Sequence, residues 1–295
     1  MARKNPSGEN WNPGLALRLA WEKETIALPG VFCPLAAKLA SRLGFQAAYL
    51  SGAQLSASLG LPDVGLVSVK EFTEEAARIT AAVKIPLLCD ADTGFGEPIQ
   101  VERCVRLFEQ AGAGGIHIED QLLPKRCGHL SGKELVEASA MAAKIRSAVR
   151  ARENPSFVIM ARTDARGVSG LDDAIARAKT YLDAGADAIF PEALETPGEF
   201  ETFARQVQAP LLANMTEFGK SPRLKVSDLS QMGYRMVLFP VSGFRAAMLA
   251  TRKVFEEIRT TGGIEDNLAA MLTRAELYSL LEYQGFEERD RSYFQ

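Results

Sequence analysis

The amino-acid sequence predicts a closed (β/α)8 barrel. Eight short apolar segments of strand length recur along the 295 residues, and segments with helical periodicity lie between them. Four of the helical segments end in a glycine shortly before the next apolar segment, so one helix–turn–strand joint is repeated. Eight such units in a chain of this length fit a closed barrel better than an open doubly wound sheet, which is the alternative fold.

The predicted strands are apolar along nearly their whole length. This is typical of parallel strands that are covered on both faces. They span residues 25–32, 47–52, 85–92, 115–120, 157–164, 188–193, 210–216 and 236–242.

The predicted helices alternate with these strands. They span residues 34–43, 70–83, 99–111, 134–152, 171–184, 197–208, 225–232 and 243–260. In one of them Val101, Val105 and Phe108 recur on a single helix face. The glycines that end helices, which we expect in the left-handed conformation, are Gly44, Gly112, Gly185 and Gly233.

Two further helical segments lie outside the barrel pattern, at residues 14–24 and 264–295. The C-terminal segment carries more apolar surface than a free tail should show, in Leu272, Leu277, Leu280, Leu281 and Tyr283. A partner subunit is a reasonable place to bury it. We therefore predict one barrel domain over residues 1–295, with 264–295 as its C-terminal helical segment.

Composition excludes several classes of protein. The net charge is -3 and the pI about 5.7, so no binding to nucleic acid or anionic lipid is expected from bulk charge. The polar start, MARKNPSGENWNPG, has no apolar core of a secretory signal, and no segment is long enough to span a bilayer. The four cysteines are irregularly spaced, which favours free thiols in a reducing cytoplasm.

Nearly every predicted strand ends in a polar or ionisable residue. In a barrel of this class the chemistry takes place at the carboxyl ends of the strands. Burying so many charges at one mouth is costly unless ligands or metals compensate them. These residues are Tyr49, Ser51, Asp90, Asp92, His117, Glu119, Arg162, Asp164, Glu192, Asn214, Thr216, Ser242 and Arg245.

The strongest cluster is Asp90, Asp92 and Glu119. Asp90 and Asp92 are two residues apart on one predicted strand and should point the same way, and Glu119 ends the neighbouring strand. Such carboxylates repel one another unless a hard divalent cation, Mg2+ or Mn2+, lies among them. Pairing with lysine or arginine is the alternative, and zinc is disfavoured because no set of three or four Cys and His ligands exists.

The segment KRCGH at residues 125–129 follows the fourth strand on a loop that should cover the barrel mouth. We expect Lys125, Arg126 and His129 to lower the pKa of Cys127 and favour its thiolate. A thiol tuned in this way can act as a general acid or base. Arg162 and Arg245 add fixed cations, so the site should take a small polyanion.

Several motifs together are similar to those of the isocitrate lyase and phosphoenolpyruvate mutase superfamily, from about residue 14 to 290. They are YLSGA, SLGLPDVG, DADTGFGE, HIEDQ, KRCGH, VIMARTDA, FPEA, ANMTEFG and FPVSGFRA. Within the superfamily, the cysteine of KRCGH marks the lyases, and chain length and motifs most resemble the lyases that act on 2-methylisocitrate.

The resemblance implies a Mg2+-dependent carbon–carbon cleavage that releases pyruvate and succinate in propionate catabolism, the methylcitrate cycle. It implies a homotetramer whose C-terminal helix is exchanged between subunits. The implied metal residues are Asp90, Asp92, Asp63, His117 and Glu119. The implied catalytic residues are Cys127, Tyr49, Lys125 and His129, with Cys127 protonating the carbanion. The implied substrate-binding residues are Ser51, Gly52, Ala53, Arg126, Gly128, Arg162, Glu192, Asn214, Thr216 and Arg245.

Two alternatives stay open at the level of sequence. The same barrel could be a 2,3-dimethylmalate lyase, an oxaloacetate decarboxylase or hydrolase, or a phosphonomutase of the carboxyphosphonoenolpyruvate type, because segments 52–54 and 130–132 depart from the lyase pattern. It could also be a non-enzymatic binding or scaffold protein, whose thermal stability divalent metal and small carboxylates would leave unchanged.

Overall fold

The computed structural model describes residues 11–294, and within them eight parallel strands alternate with helices. Each predicted strand is confirmed, and each is shorter than the apolar segment that predicted it. The strands are β1 (Ile26–Pro29), β2 (Ala48–Leu50), β3 (Leu87–Asp90), β4 (Gly115–Glu119), β5 (Val158–Thr163), β6 (Ala188–Pro191), β7 (Leu212–Asn214) and β8 (Met236–Phe239).

The strands close into a barrel. Strands β2 to β6 pair in sequence order, and β1, β8 and β7 form a second parallel ladder. Two parallel bridges join the ladders, Gly30 to Tyr49 and Ile189 to Leu211. The closed barrel is therefore confirmed, and the open sheet is wrong.

The eight predicted barrel helices and the N-terminal helix are confirmed within a few residues at either end, whereas the described part of the predicted segment 264–295 is divided into a 3-10 turn and two short helices. The helices are α1 (Pro13–Lys23), α2 (Pro34–Arg42), α3 (Gly52–Ser58), α4 (Val69–Ala82), α5 (Pro98–Gln110), α6 (Ala138–Ala151), α7 (Leu171–Asp183), α8 (Pro197–Gln206), α9 (Val226–Gln231), α10 (Ser242–Thr261), α11 (Arg274–Leu280) and α12 (Tyr283–Ser292), with 3-10 turns at Ala165–Gly167 and Glu265–Ala270. The short helix α3 was not predicted.

The repeated glycine joints have the expected backbone. Gly44, Gly112, Gly185 and Gly233 have φ values of 85°, 80°, 102° and 97°. A side chain is strained in this left-handed region, so glycine lets each helix stop and the next strand begin within a few residues.

The apolar residues of the strands alternate between two cores. In β5, Val158 and Met160 belong to the cluster inside the barrel, whereas Ile159 packs in the cluster between the barrel and its helices. Leu17 and Trp21 of α1 join the inner cluster, so α1 packs on the barrel interior. The carboxyl ends of the strands are left to hold polar side chains.

The C-terminal helices pack loosely on the barrel. Arg42 on α2 donates a hydrogen bond of 2.8 Å to Ser279 on α11, and Leu280 is buried. Leu272 and Phe286 remain mostly exposed. Exchange of this segment between subunits stays a prediction. The single domain over 1–295 also stays a prediction, because residues 1–10 and 295 lie outside the described part of the chain. Most of the polar start lies within those residues. Within residues 11–294 no helix is long and apolar enough to cross a membrane.

Candidate active site

The carboxyl ends of the strands surround a cavity of ≈ 90 Å³. Most of the predicted site residues line it: Tyr49, Ser51, Ala53, Asp63, Asp90, Lys125, Arg126, Cys127, Gly128, His129, Arg162, Glu192, Asn214, Thr216 and Arg245. The others, Gly52, Asp92, His117 and Glu119, contact lining residues from behind. A larger groove of ≈ 630 Å³ lies beside the ends of α2 and α4, on the side where the strands begin.

Asp90 is fixed by backbone N–H groups. Its Oδ2 accepts a hydrogen bond from Gly52 N and its Oδ1 one from Asp92 N, each 3.0 Å long. A Cβ on Gly52 would lie 2.9 Å from Asp90 Oδ2, so glycine permits this approach. The N–H of Gly52, which we expected to contact the substrate, is therefore already engaged.

The reasoning that placed Asp90 and Asp92 side by side on one strand was wrong. Strand β3 ends at Asp90, and Asp92 has a left-handed backbone with φ 44°. Because the chain turns sharply there, Asp92 is brought back beside Asp90 and hydrogen-bonds to it. The two aspartates are brought together by a turn and not by the period of a strand.

Lys125 lies among the carboxylates. Its Nζ donates to Asp63 Oδ1 and lies 2.8 Å from Asp92 Oδ1. The alternative in which carboxylates pair with basic residues is thus partly realised. Glu119 Oε2 lies 3.3 Å from Arg162 Nη1, but Glu119 Oε1 is buried with no hydrogen-bond partner among the described residues.

Buried negative charge shifts the acidity of these groups. Burial and the neighbouring Asp90 raise the pKa of Asp92 to about 7. Burial likewise raises the pKa of Glu119 well above its usual range. Burial also acts to raise the pKa of Asp90, but His117, Lys125 and Arg162 outweigh it and the net shift is downward. The cluster thus carries more buried carboxylate than its basic neighbours fully compensate.

The residues fit a magnesium ion that keeps much of its water. Within the described chain no three His, Cys, Asp or Glu side chains converge closely enough to enclose a metal. Mg2+ is commonly held by one or two carboxylates together with water molecules. Asp90 lines the cavity, and the unpaired Oε1 of Glu119 offers a further oxygen ligand behind it.

Tyr49 and His117 form a buried pair beside Asp90. The phenol oxygen of Tyr49 lies 2.6 Å from His117 Nε2, and the rings are stacked. Burial lowers the pKa of His117 to about 4 and, with Asp90, raises that of Tyr49. At neutral pH a neutral imidazole therefore faces a protonated phenol.

Arg162 is the centre of the carboxylate network on the other side of the cavity. Its Nε and Nη2 donate to Asp164 at 2.9 and 3.1 Å. Its Nη2 also lies 3.2 Å from Glu192, and its guanidinium covers the ring of Phe190 at 5.0 Å. Although burial opposes the charge, these acids and Glu119 raise the pKa of Arg162, so the guanidinium stays charged.

The expected effect of KRCGH on its own cysteine was wrong. Burial raises the pKa of Cys127, and the carboxylate of Glu192 acts in the same direction. The expectation failed because the folded loop buries the thiol, and the ammonium of Lys125 is bound by Asp63 and Asp92. Cys127 therefore holds its proton at neutral pH, as a proton donor requires.

His129 connects two loops at the mouth. Its Nδ1 accepts a hydrogen bond of 2.9 Å from Lys220 N, which follows β7. Its Nε2 lies 2.9 Å from Glu192 Oε1, and Glu192 also accepts from Asn214. Because Nδ1 is an acceptor here, the Nε2 atom is the one that donates to Glu192.

Ser51 and Arg245 bind their own chain. Ser51 Oγ accepts a long hydrogen bond of 3.4 Å from Gln54 N and caps α3. Arg245 donates to Glu217 O at 2.8 Å and covers the exposed ring of Phe218. A substrate carboxylate would have to share or replace the contact to Glu217.

The sequence reasoning missed an apolar wall. Phe190, Leu238, Pro240 and Val241 line the cavity, at or just after the ends of β6 and β8. The signal was available, because alternate residues of a barrel strand face inward.

The chain belongs to the phosphoenolpyruvate mutase/isocitrate lyase superfamily. Residues 17–259 match the family model described as phosphoenolpyruvate phosphomutase. Among curated relatives, the 2-methylisocitrate lyase of Aeropyrum pernix is 51% identical over 94% of this chain and 90% of its own length. That of Bacillus subtilis is 45% identical over 91% and 89%. The family resemblance read from the motifs is confirmed.

Solved structures agree with this membership. A 2,3-dimethylmalate lyase of the superfamily has a TM-score of 0.89 and 33% identity, with 95% of each chain covered. A phosphonopyruvate hydrolase in complex with oxalate and Mg2+ has a TM-score of 0.87 and 33% identity, covering 96% of this chain and all of that one.

Proposed function

We propose that this protein is a carbon–carbon lyase that cleaves 2-methylisocitrate to pyruvate and succinate with Mg2+, or Mn2+, as cofactor. The observation that carries the proposal is the position of the Cys127 thiol in a cavity lined by Asp90 and Arg162, where burial raises its pKa. The relatives of high identity named 2-methylisocitrate lyase support it.

The cation would be held by Asp90, with Asp92, Glu119, His117 and Asp63 acting directly or through water. When bound, it would act as a Lewis acid that stabilises negative charge on the oxygen of the cleaved carbinol. The orphaned oxygen of Glu119 supports this assignment.

The protein's own groups would move the protons. Tyr49 Oη would take the proton of the substrate hydroxyl while it passes its own proton to Nε2 of His117, to which it is hydrogen-bonded. The carbinol oxygen then forms the ketone of pyruvate as the carbon–carbon bond breaks, and the electron pair of that bond stays on the succinyl carbon. Cys127 Sγ–H would deliver its proton to this carbon, which completes succinate and leaves a thiolate.

The substrate carboxylates would be bound by guanidinium, amide and hydroxyl groups of the cavity. Charged donors suit a polyanion, and Glu192 holds two of these donors in place. The proposed binding residues are Arg162, Arg245, Arg126, Asn214, Thr216, Glu192, Ser51, Gly52, Ala53 and Gly128, with Lys125 and His129 orienting the loop and the acids.

The apolar wall favours a substrate with a methyl group. Phe190, Leu238 and Val241 would pack against that methyl group and exclude water from it. Such pockets discriminate one methylene by only about 1–3 kcal/mol, so a substrate panel is needed to fix the preference.

The test is turnover of 2-methylisocitrate, 2,3-dimethylmalate, oxaloacetate and phosphonopyruvate by the purified protein with Mg2+. We expect kcat/KM to be highest for 2-methylisocitrate, with pyruvate and succinate formed in equal amounts. A higher kcat/KM on any other acid would overturn the substrate assignment.

The proposal extends to assembly and cellular role. Phe255, Leu272 and Phe286 expose large apolar side chains on α10 and the C-terminal segment. A homotetramer that exchanges this segment would cover them. We place the enzyme in propionate catabolism in the cytoplasm. Light scattering of the full-length protein tests the assembly, and a monomeric mass would contradict it.

A further inference from the structure

Lys133 is a buried lysine at the end of the loop that carries Cys127. Its side chain is only 1% exposed, although the neighbouring Ser131 and Gly132 are exposed. Lysine is almost never buried unless its charge is paired. The structure therefore has to supply Lys133 with specific partners.

Those partners belong to the loop and to the barrel. Lys133 Nζ donates one hydrogen bond to the carbonyl oxygen of Gly128, the residue after Cys127. It donates another, 2.8 Å long, to Asp164 Oδ1. One ammonium group thus connects the loop backbone next to the thiol to an acid that directly follows β5.

Asp164 is a rigid anchor. It is completely buried, and its carboxylate also accepts the two hydrogen bonds from Arg162. Its backbone N–H donates to Asp120 Oδ1 at 2.9 Å, and Asp120 is bound by Thr163 as well. The acid that orients Arg162 is therefore the same acid that holds Lys133.

Gly128 lies against the active-site residues. A Cβ at Gly128 would come within 2.5 Å of Arg162 Nη2 and 2.4 Å of Glu192 Cγ. The backbone beside Cys127 is thus packed directly on the network that Asp164 organises. A shift of the loop would carry the thiol away from the cavity.

We propose that Lys133 is a positioning residue that holds the loop 125–133 closed, so that Cys127 faces the cavity and Arg162 keeps its orientation. The kinetic part of this proposal rests on the lyase function proposed above, whereas its structural part does not. Charged hydrogen bonds from a buried ammonium are strong enough to set a loop equilibrium.

The test uses three variants and measures Cys127 alkylation by iodoacetamide without substrate. Lys133→Met removes both hydrogen bonds, Lys133→Gln keeps a donor for Gly128, and Lys133→Arg keeps the charge. Peptide mass analysis separates Cys127 from Cys33, the other partly exposed thiol. We expect Lys133→Met to accelerate alkylation of Cys127 roughly tenfold or more, Lys133→Gln less, and Lys133→Arg least.

Lys144→Met is the matched control. Lys144 is also a buried lysine, and it donates to Thr93 O at 3.0 Å, with no hydrogen bond or ion pair to residues 125–133. Its loss should leave the alkylation rate of Cys127 unchanged. An effect common to both methionine variants would show general loosening of the fold and overturn the proposal.

The kinetic readout separates this inference from the proposed function. With 2-methylisocitrate, Lys133→Met should lower kcat far more than it raises KM, and Lys133→Arg should restore part of kcat. If the parent protein shows no lyase activity but the alkylation contrast holds, the lyase proposal fails and the positioning role stands. If folded Lys133→Met and Lys133→Gln both alkylate at the parent rate, the positioning role is wrong. Should Lys133→Met not fold, Lys133→Gln alone decides.

Discussion

The phenol oxygen of Tyr49 and Nε2 of His117 lie 2.6 Å apart, deep in the mouth of the barrel. Their rings are inclined by only 10°, and His117 is fully buried. His117 Nε2 is also 3.7 Å from Asp90 Oδ1, so the phenol is linked to the proposed metal residue through the imidazole. In the proposed mechanism this pair would give Tyr49 a proton route without exposing it to solvent.

Replacing Tyr49 by phenylalanine should therefore damage chemistry more than binding. We expect kcat to fall by roughly 10²- to 10⁴-fold with little change in KM, because a positioned acid–base group contributes about that much. Steady-state kinetics with 2-methylisocitrate measures both constants. Tyr234→Phe is the control, since that phenol lies in the outer core and donates to Phe200 O. Equal losses in both variants would contradict a role for Tyr49.

Arg162 should be essential to folding as well as to binding. Arg162→Met leaves Glu119, Asp164 and Glu192 buried without their shared cation, and breaking a buried pair costs about 3–5 kcal/mol. Urea unfolding should show that loss. Arg78→Met removes an exposed pair with Glu75 and should cost about 1 kcal/mol or less. A loss at Arg162 no larger than at Arg78 would mean that the network is not stabilising.

Magnesium should stabilise the folded protein through the carboxylate cluster. A ligand that binds only the folded state at 100 times its Kd adds about 2.7 kcal/mol. Thermal melts with Mg2+ and oxalate should therefore show a higher Tm for the parent and a much smaller rise for Asp92→Asn. Asp172→Asn, at an exposed site on α7, should respond like the parent. An unchanged Tm in the parent would favour the scaffold alternative.

The thiol of Cys127 should react as a weak acid. Because burial raises its pKa and only the thiolate reacts, the alkylation rate should keep rising beyond the pH at which an ordinary thiol levels off, about 8.5. The same peptide in protein unfolded by urea gives the reference curve. If the alkylation rate levels off at a lower pH than in the unfolded reference, the raised pKa is contradicted and the thiolate predicted from the sequence is supported.

The fold was predictable because its signals are local. Apolar segments mark the strands and glycines mark the helix ends, and both signals depend only on residues that are neighbours in the sequence. Helix α3 was missed because it is short and begins with Gly52 and Ala53, which carry no apolar periodicity. The turn that brings Asp92 back to Asp90 depends on a left-handed backbone at a residue other than glycine, which sequence pattern does not reveal.

The residues that line the site were easier to predict than the pKa values of its ionisable groups. Polar strand ends converge in any barrel, so the cavity residues could be named from their positions. The pKa of Cys127 depends instead on how far the folded loop buries its thiol, while the long side chain of Lys125 turns to Asp63 and Asp92. The role of Lys133 likewise depends on a contact to Asp164, 31 residues away in the sequence.

The most direct test of the central claim is pyruvate release from 2-methylisocitrate by the parent protein and by Cys127→Ser, both with Mg2+. We predict rapid release by the parent and a loss of roughly 10²-fold or more in the variant, because serine is a far weaker proton donor. Bound oxalate should still raise the Tm of the variant, showing an intact site. Equal release by the two proteins, or none by either, would contradict a lyase that depends on Cys127.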